Sequence, residues 1–478
     1  MSSTTTPKQN QIGLGLAVAI GLASMLGAGV FAVFHEAAAI TMKYSDRWAL
    51  LIAIGLAGLV ASLNAASVYQ LARKVPRAGG VYAYSRAYVN ETTSFAAGFS
   101  FIFGKIGSIS AIGLVFGFYV WPEQPVLAAG VAIALLTAIN LLGINRTAQV
   151  ALVLSISTVT FLVVTLVWGF VQDFFAGQAV AAAAGAGNGT NIGAGNGASN
   201  AALEFFPPGL IYQHTHVHSH DLSSVSTVIS SGGILGIVSA AAMVFFAFAG
   251  YARVATLGDE VRDPQRNIPK AIAIALVTVL VLYFALGFVL QQTLGFGLMT
   301  ANAPFVTFWQ LSTARLGWQP DVVQFVVVIF AASASLGSIL ALLAGVSRTA
   351  ATMAEDRELS GIFARRNKKG APWLAEVVIA AGAICFATLG HLDWSIGFSS
   401  LSVLLYYAIG HVAALRQLKV EKPGRKAHAV RSATAWLGLG LCAVLLLAVP
   451  GPALWLSTLI LAAALFVRRV ARSRRDPS

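Results

Sequence analysis

Ser24-Met25-Leu26-Gly27-Ala28-Gly29-Val30-Phe31 is the stretch that decides how this chain reads. It occupies the second half of a charge-free run, residues 12–34, and such a run can cross a bilayer as a helix, which takes about 20 apolar residues. A plain membrane anchor would carry leucine there. Two glycines around an alanine predict instead a helix interrupted near the middle of the membrane, because glycine weakens a helix interior and lets another group approach the backbone. A second interruption, Phe248-Ala249-Gly250, lies in a later apolar run. Paired glycine-interrupted spans in corresponding places of two halves point to a binding site at the bilayer midplane.

The composition sets the class. Of 478 residues, 57% are hydrophobic and 10% charged, whereas soluble domains hold about 25% charged residues. The chain reads as one polytopic membrane domain over residues 1–478. The segment 1–11 is short and polar, with Lys8 its one cation. The first apolar run is too long for a signal-peptide core and lacks a cleavage site, so it reads as a retained helix. Twelve helices are expected, near 12–34, 48–72, 95–120, 125–143, 148–172, 233–261, 271–294, 321–347, 374–390, 394–416, 432–449 and 453–468. Pro450-Gly451-Pro452 separates the last two as a tight hairpin.

The basic excess then fixes an orientation. With the N-terminus inside, 26 of the 31 Lys and Arg fall on the inner side, and three, Lys43, Arg47 and Arg315, on the outer side. Lys105 and Arg253 fall within spans. This asymmetry predicts two cytoplasmic termini and a plasma-membrane location. The net charge of +13 therefore reads as topology and contact with anionic lipid headgroups, not as a nucleic-acid surface. Ala, Gly and Arg usage is compatible with a bacterial source.

No cofactor or resident metal is expected. Cys385 and Cys442 both lie in apolar runs and read as small buried hydrophobes. The loop 173–232 holds no Lys or Arg. Its first half, around Ala181-Ala182-Ala183-Ala184-Gly185, is low-complexity and is expected to be flexible. Its second half alternates His214, His216, His218 and His220. An extended strand would put all four on one face, which suits a metal-binding or pH-sensing patch; a drifting polar loop fits better, since no zinc-type spacing accompanies them. Asn188-Gly189-Thr190 matches a glycosylation acceptor, a weak motif.

The two breaks carry the candidate chemistry. A helix restarting at Gly27-Ala28-Gly29 presents backbone N–H groups and a half-helix dipole of about +0.5 charge, which favour a carboxylate. The competing reading is close helix packing on small residues. The later run Phe245-Phe246-Ala247-Phe248-Ala249-Gly250-Tyr251 ends a half-helix near Gly250; its last carbonyls lack helical partners and can accept from an ammonium. Donors for a carboxylate and acceptors for an amine together suit an α-amino acid. The candidate substrate-binding residues are Ser24, Met25, Gly27, Ala28, Gly29, Phe245, Phe246, Phe248 and Gly250. The phenylalanines read either as a lid or as core.

These residues and others in the same order resemble a known family. Gly27-Ala28-Gly29-Val30-Phe31, Pro76-Arg77-Ala78-Gly79-Gly80-Val81-Tyr82-Ala83-Tyr84 and Phe245 to Tyr251 carry the likeness. Gly258-Asp259-Glu260-Val261-Arg262-Asp263-Pro264-Gln265-Arg266-Asn267-Ile268-Pro269 and Ser347-Arg348 extend it. The chain is similar to the amino acid–polyamine–organocation superfamily of secondary transporters. The resemblance implies an all-α LeuT-type fold with 12–172 and 233–416 as inverted repeats and 432–468 as two appended helices. It implies that helices 1, 3, 6, 8 and 10 line the site. Two departures stand out. Asp259-Glu260 sits where the family often has paired glutamates; these acids are expected in the inner gate, paired with Arg262 or Arg266, or else as solvated loop charge. Some members carry a helix 5 lysine in place of a sodium ion, and 148–172 has no charge.

Lys105 takes the third helix's midplane, about 15 Å from its inner end at 1.5 Å per residue. A lysine there costs about 2.5–3.5 kcal/mol on insertion scales, so it is expected to face the bundle interior. It reads as a coupling cation that exchanges a proton during transport, or as a tether to helix carbonyls. Arg253 reads as a vestibule or snorkelling residue. Ser333, Ser335 and Ser338 could ligate sodium, or could be packing glue. No Asp or Glu lies centrally in a span, which favours neutral amino acids over cationic ones. The expected function is an amino acid permease working by alternating access, coupled to H⁺ or acting as an exchanger, with Na⁺ possible. A cationic amino acid or polyamine antiporter is one alternative. A sensor or channel on the same fold is another, and no catalytic constellation suggests an enzyme. The sequence gives no oligomeric state.

Overall fold

Backbone amides in hydrocarbon have no water to bond, so spanning segments of an apolar chain close their hydrogen bonds within helices. The computed structural model follows this rule. It describes residues 12–41, 48–75, 77, 79–142, 144–186, 233–255, 261–301, 303–389, 392–449 and 453–473. Helices α1 (Leu14–Met25) and α2 (Ala28–Thr41) form the broken first span. They are followed by α3 (Ala49–Ala72), a short α4 (Val81–Tyr88), α5 (Glu91–Val120), α6 (Pro125–Asn140) and α7 (Ile144–Ala186). The second half begins with α8 (Gly233–Phe248), a 3-10 turn at Ala249–Tyr251 and α9 (Ala252–Ala255). Then come α10 (Pro264–Leu294), α11 (Pro304–Thr313), α12 (Pro320–Glu355), α13 (Trp373–Leu389), α14 (Leu392–Glu421), α15 (Arg425–Ala448) and α16 (Ala453–Ser473).

A helix falls within each expected segment, although the one expected over 233–261 is described only to Ala255. Among the described residues, nine are long and apolar enough to cross a membrane. Pro125–Asn140 and Trp373–Leu389 are apolar but shorter, and α16 ends among arginines. The described residues are helical but for loops and a single parallel bridge between Ile12 and Val261, where the Arg262 amide donates to the Ile12 carbonyl at 2.9 Å.

Three elements depart from the sequence expectation. The helix expected to stop at 172 continues to Ala186, so the first part of the low-complexity stretch is helical; alanine has the highest helix propensity and extends a helix already nucleated by the span. Short helices α4 and α11 fall where loops were expected. The site expectations on His214, His216, His218 and His220, on Asn188, and on Asp259 and Glu260 lie outside the described residues.

One end of the bundle is tied by ions. Asp356 and Glu358, just past α12, meet α4, the turn before it and α16. The Arg468 Nε and Nη2 donate to Glu358 at 2.7 and 3.0 Å, and the Arg86 Nη1 does so at 3.1 Å. Arg77 and the Tyr82 hydroxyl donate to Asp356 at 2.7 and 2.9 Å. Burial, then the bond to Asp356, raises the Tyr82 pKa, so this hydroxyl stays a donor. The turn that delivers α4 needs positive φ at Gly79 and Gly80, 107° and 58°, a region where a side chain is strained.

Candidate functional site

The first interruption falls at Leu26 and Gly27. The Leu26 amide still reaches back to the Leu22 carbonyl at 2.6 Å, and the Val30 amide to the Gly27 carbonyl at 3.2 Å. One helix thus ends at Met25 and the next starts at Ala28, so Ala28 and Gly29 belong to the new helix, not to the gap. The first amides of α2 have no helical carbonyl before them. Gly27 does not open onto a cavity. A Cβ on it would collide with Ser338 of α12, which identifies close packing as its use. Gly29 lies against Ala247, 3.2 Å from where its Cβ would stand to the Ala247 Cα.

The second interruption is a tightening rather than a gap. The 3-10 turn Ala249–Tyr251 leaves the α-helical ladder of α8, and α9 resumes it for four residues. Gly250 lies directly on the first break: a Cβ there would overlap the Ser24 carbonyl and crowd the Met25 nitrogen. The two breaks therefore cross in backbone contact. Glycine is required at this crossing because no side chain fits between the chains.

The freed carbonyls find partners inside the bundle, as buried polar groups in hydrocarbon must. The Tyr283 hydroxyl of α10 donates to the Met25 carbonyl and faces the Ala247 carbonyl at 3.4 Å, bridging both breaks. Lys105 Nζ donates to the Ala249 carbonyl at 3.0 Å. Ser338 Oγ stands 3.5 Å from the Ser24 carbonyl.

Between these groups is a narrow cleft of about 10 Å³, room for about one water. Ser24 and Met25 of α1, Gly29 of α2, and Lys105, Ser108 and Ile112 of α5 line it. Phe246 and Ala247 of α8, Gly250 of the turn, and Ser338 and Leu342 of α12 complete the wall. Lys105 is its one charged residue, 2% exposed, and sits near the middle of a 30-residue helix. No lining residue is acidic. Two of the serines are already engaged. Ser24 Oγ donates to the Ile20 carbonyl at 2.7 Å, and Ser108 Oγ bonds the Ser399 hydroxyl and the Gly104 carbonyl. The Ser338 hydroxyl makes only its long bond to the Ser24 carbonyl, and the ammonium its bond to Ala249.

The structure thus brings together Ser24, Met25, Gly29, Lys105, Phe246, Gly250 and Ser338. It does not bring in Phe245 or Phe248. Phe245 packs edge-on to Tyr407 and Phe248 to Tyr283, both fully buried; they belong to the core, because successive residues of a helix point about 100° apart and only Phe246 faces α2. The three-serine ion site is not assembled either. Ser333 Oγ bonds its own helix at Ile329, and Ser335 Oγ does so at Ala331, at 2.9 and 2.8 Å. Arg253 lies in α9, and its side chain lies outside the described set. Among the described residues no cluster of His, Cys, Asp or Glu could hold a metal ion.

Four contributors were absent from the sequence reading. Tyr283 had a signal, a phenolic hydroxyl inside an apolar run that must find a partner when buried. Ser108 had one too, since it follows Lys105 by one turn on the same face. Ile112 and Leu342 had none.

The comparisons with known proteins agree with this geometry. The family model described as amino acid permease matches residues 12–467. An uncharacterized transporter of Mycobacterium tuberculosis is 38% identical over 409 residues, covering 85% of this chain and 80% of that protein. The methylthioribose transporter of Bacillus subtilis is 23% identical over 468 residues, covering 92% and 88%. The crystal structure of MhsT in complex with L-phenylalanine superposes with a TM-score of 0.58 at 14% identity, covering 91% of this chain and 98% of that one. That likeness is one of fold: the helices follow the LeuT-type arrangement.

Proposed function

This chain belongs to the amino acid permease family, and from that premise we propose that it is a secondary transporter of neutral amino acids, working by alternating access around the crossing of its two broken helices. The observation that carries the reading is the crossing itself. Gly29 in the first turn of α2, the Lys105 ammonium and Gly250 of the 3-10 turn line one small space that contains no acid, and Lys105 donates to the carbonyl of the adjoining Ala249. A carboxylate would dock on the first turn of α2, where amides and the helix dipole favour it. An amine would take acceptors at the 3-10 turn. A distal cation would meet no counter-charge, which argues against the cationic amino acid or polyamine alternative.

Lys105 supports coupling to protons or exchange, because a lone midplane lysine is the group whose charge state a transport cycle can change. With Ser333 and Ser335 bonded within their own helix, sodium coupling would have to use Ser338 and backbone carbonyls. Two cytoplasmic termini in a bacterial plasma membrane complete the proposal.

The test is transport by the reconstituted protein. Liposomes carrying it should show saturable uptake or exchange of at least one neutral amino acid, and the dependence on imposed pH and sodium gradients should name the coupling ion. No saturable flux of any amine across a full amino acid panel would sink the proposal.

A further inference from the structure

The one charge in the cavity already occupies the acceptor that a substrate amine needs. Lys105 Nζ donates to the Ala249 carbonyl at 3.0 Å, and Ala249 opens the turn that interrupts the sixth span. An ammonium has three donors, and among the described residues this one makes a single hydrogen bond. The neighbouring Ser24 and Ser108 hydroxyls are engaged elsewhere. No carboxylate lines the space to neutralise the lysine. A bare carbonyl at this depth would be a buried, unsatisfied acceptor whenever the site is empty. A permanently bound lysine, however, would deny that acceptor to a substrate.

Resting on the amino acid reading above, we propose that Lys105 stands in for the substrate's ammonium in the empty carrier, a tethered cation that satisfies the Ala249 carbonyl and that the incoming amine displaces. The carbonyl is then paired in both states of the cycle, first by the protein's own ammonium and then by the ligand's. Because the lysine is attached, it competes at a high effective concentration. Lys105 is therefore a positioning and specificity residue whose presence weakens the binding of amines. It leaves ligands that bring only a carboxylate unaffected, since those use α2 alone. The rival role has the opposite sign: if Lys105 clamps the substrate carboxylate with its two remaining donors, removing it weakens both kinds of ligand.

Binding to the purified full-length protein distinguishes these roles. The probes are amino acids paired with their des-amino acids: L-alanine with propionate, L-leucine with isocaproate, and L-phenylalanine with hydrocinnamate. In Lys105→Met the amino acid member of a pair should bind about tenfold tighter than in the wild type, with the des-amino member changed by less than about threefold. Lys105→Gln, which keeps a neutral donor for the carbonyl, should shift the same member in the same direction by less, and it serves if the methionine variant does not fold. Equal loss of affinity for both members would overturn the proposal in favour of a carboxylate clamp. No change for either would overturn it in favour of a structural tether. Failure of the wild type to bind any amino acid would remove the amino acid reading and this proposal with it, an outcome recognisable without any variant.

Discussion

Charge is handled in opposite ways at the centre of the bundle and at the end held by Arg86 and Arg468. At that end, arginines from α4 and α16 converge on Asp356 and Glu358, and the Glu358 side chain is 1% exposed with three arginine contacts of 3.1 Å or less. At the centre, a single lysine meets a backbone carbonyl and no acid. The difference follows from what each region must do. A buried carboxylate matched by guanidinium groups makes a rigid tie, because breaking it leaves an uncompensated charge. A carbonyl released by a helix break is a weaker partner that another ammonium can replace. The ion cluster holds three elements together, while the centre is arranged so that its cation can be exchanged.

The comparison can be broken first at the ion cluster. Glu358→Gln should cost about 3–5 kcal/mol of stability, read as a fall in the thermal midpoint of the detergent-solubilised protein. A fall no larger than that of an exposed pair would mean that this end is not a tie. At the centre the constraint is steric. Gly250→Ala should cost about 1–3 kcal/mol by forcing the Ser24 carbonyl away, and it should abolish uptake in liposomes at full protein level; normal uptake would show that the breaks do not cross tightly. The smallest effect is expected from Arg366→Ala. Its pair with Glu355, at 3.3 Å, is 43% and 44% exposed, so after solvent screening the loss should stay below about 1 kcal/mol. A larger loss would blur the distinction between buried and exposed pairing on which the contrast rests.

Much of this was legible before any coordinates. Residues 12–34 announced a span, and Gly27-Ala28-Gly29 and Phe248-Ala249-Gly250 announced the breaks, because charge-free length and misplaced glycine have direct physical meanings in a membrane. Lys105 was legible for the same reason, since a midplane cation has to face the protein. The failures share a cause. Phe245, Phe246 and Phe248 look alike along the chain, as do Ser333, Ser335 and Ser338. In a helix with hydrocarbon on one side and protein on the other, both faces are apolar, so polarity does not mark the face that turns inward. Tyr283 was overlooked because its two acceptors, at Met25 and Ala247, are far away in sequence.

The sequence by itself therefore determined the membrane class, the all-helical architecture, the two interruptions and the family likeness, all of which depend on local composition and chain length. Only the tertiary structure decided that Gly27 serves packing against Ser338, that Gly250 lies on the Ser24 carbonyl, and that the Lys105 ammonium rests on Ala249. Those contacts depend on how helices distant in sequence are rotated about their axes, and that rotation is fixed by interhelical packing rather than by any property of one segment.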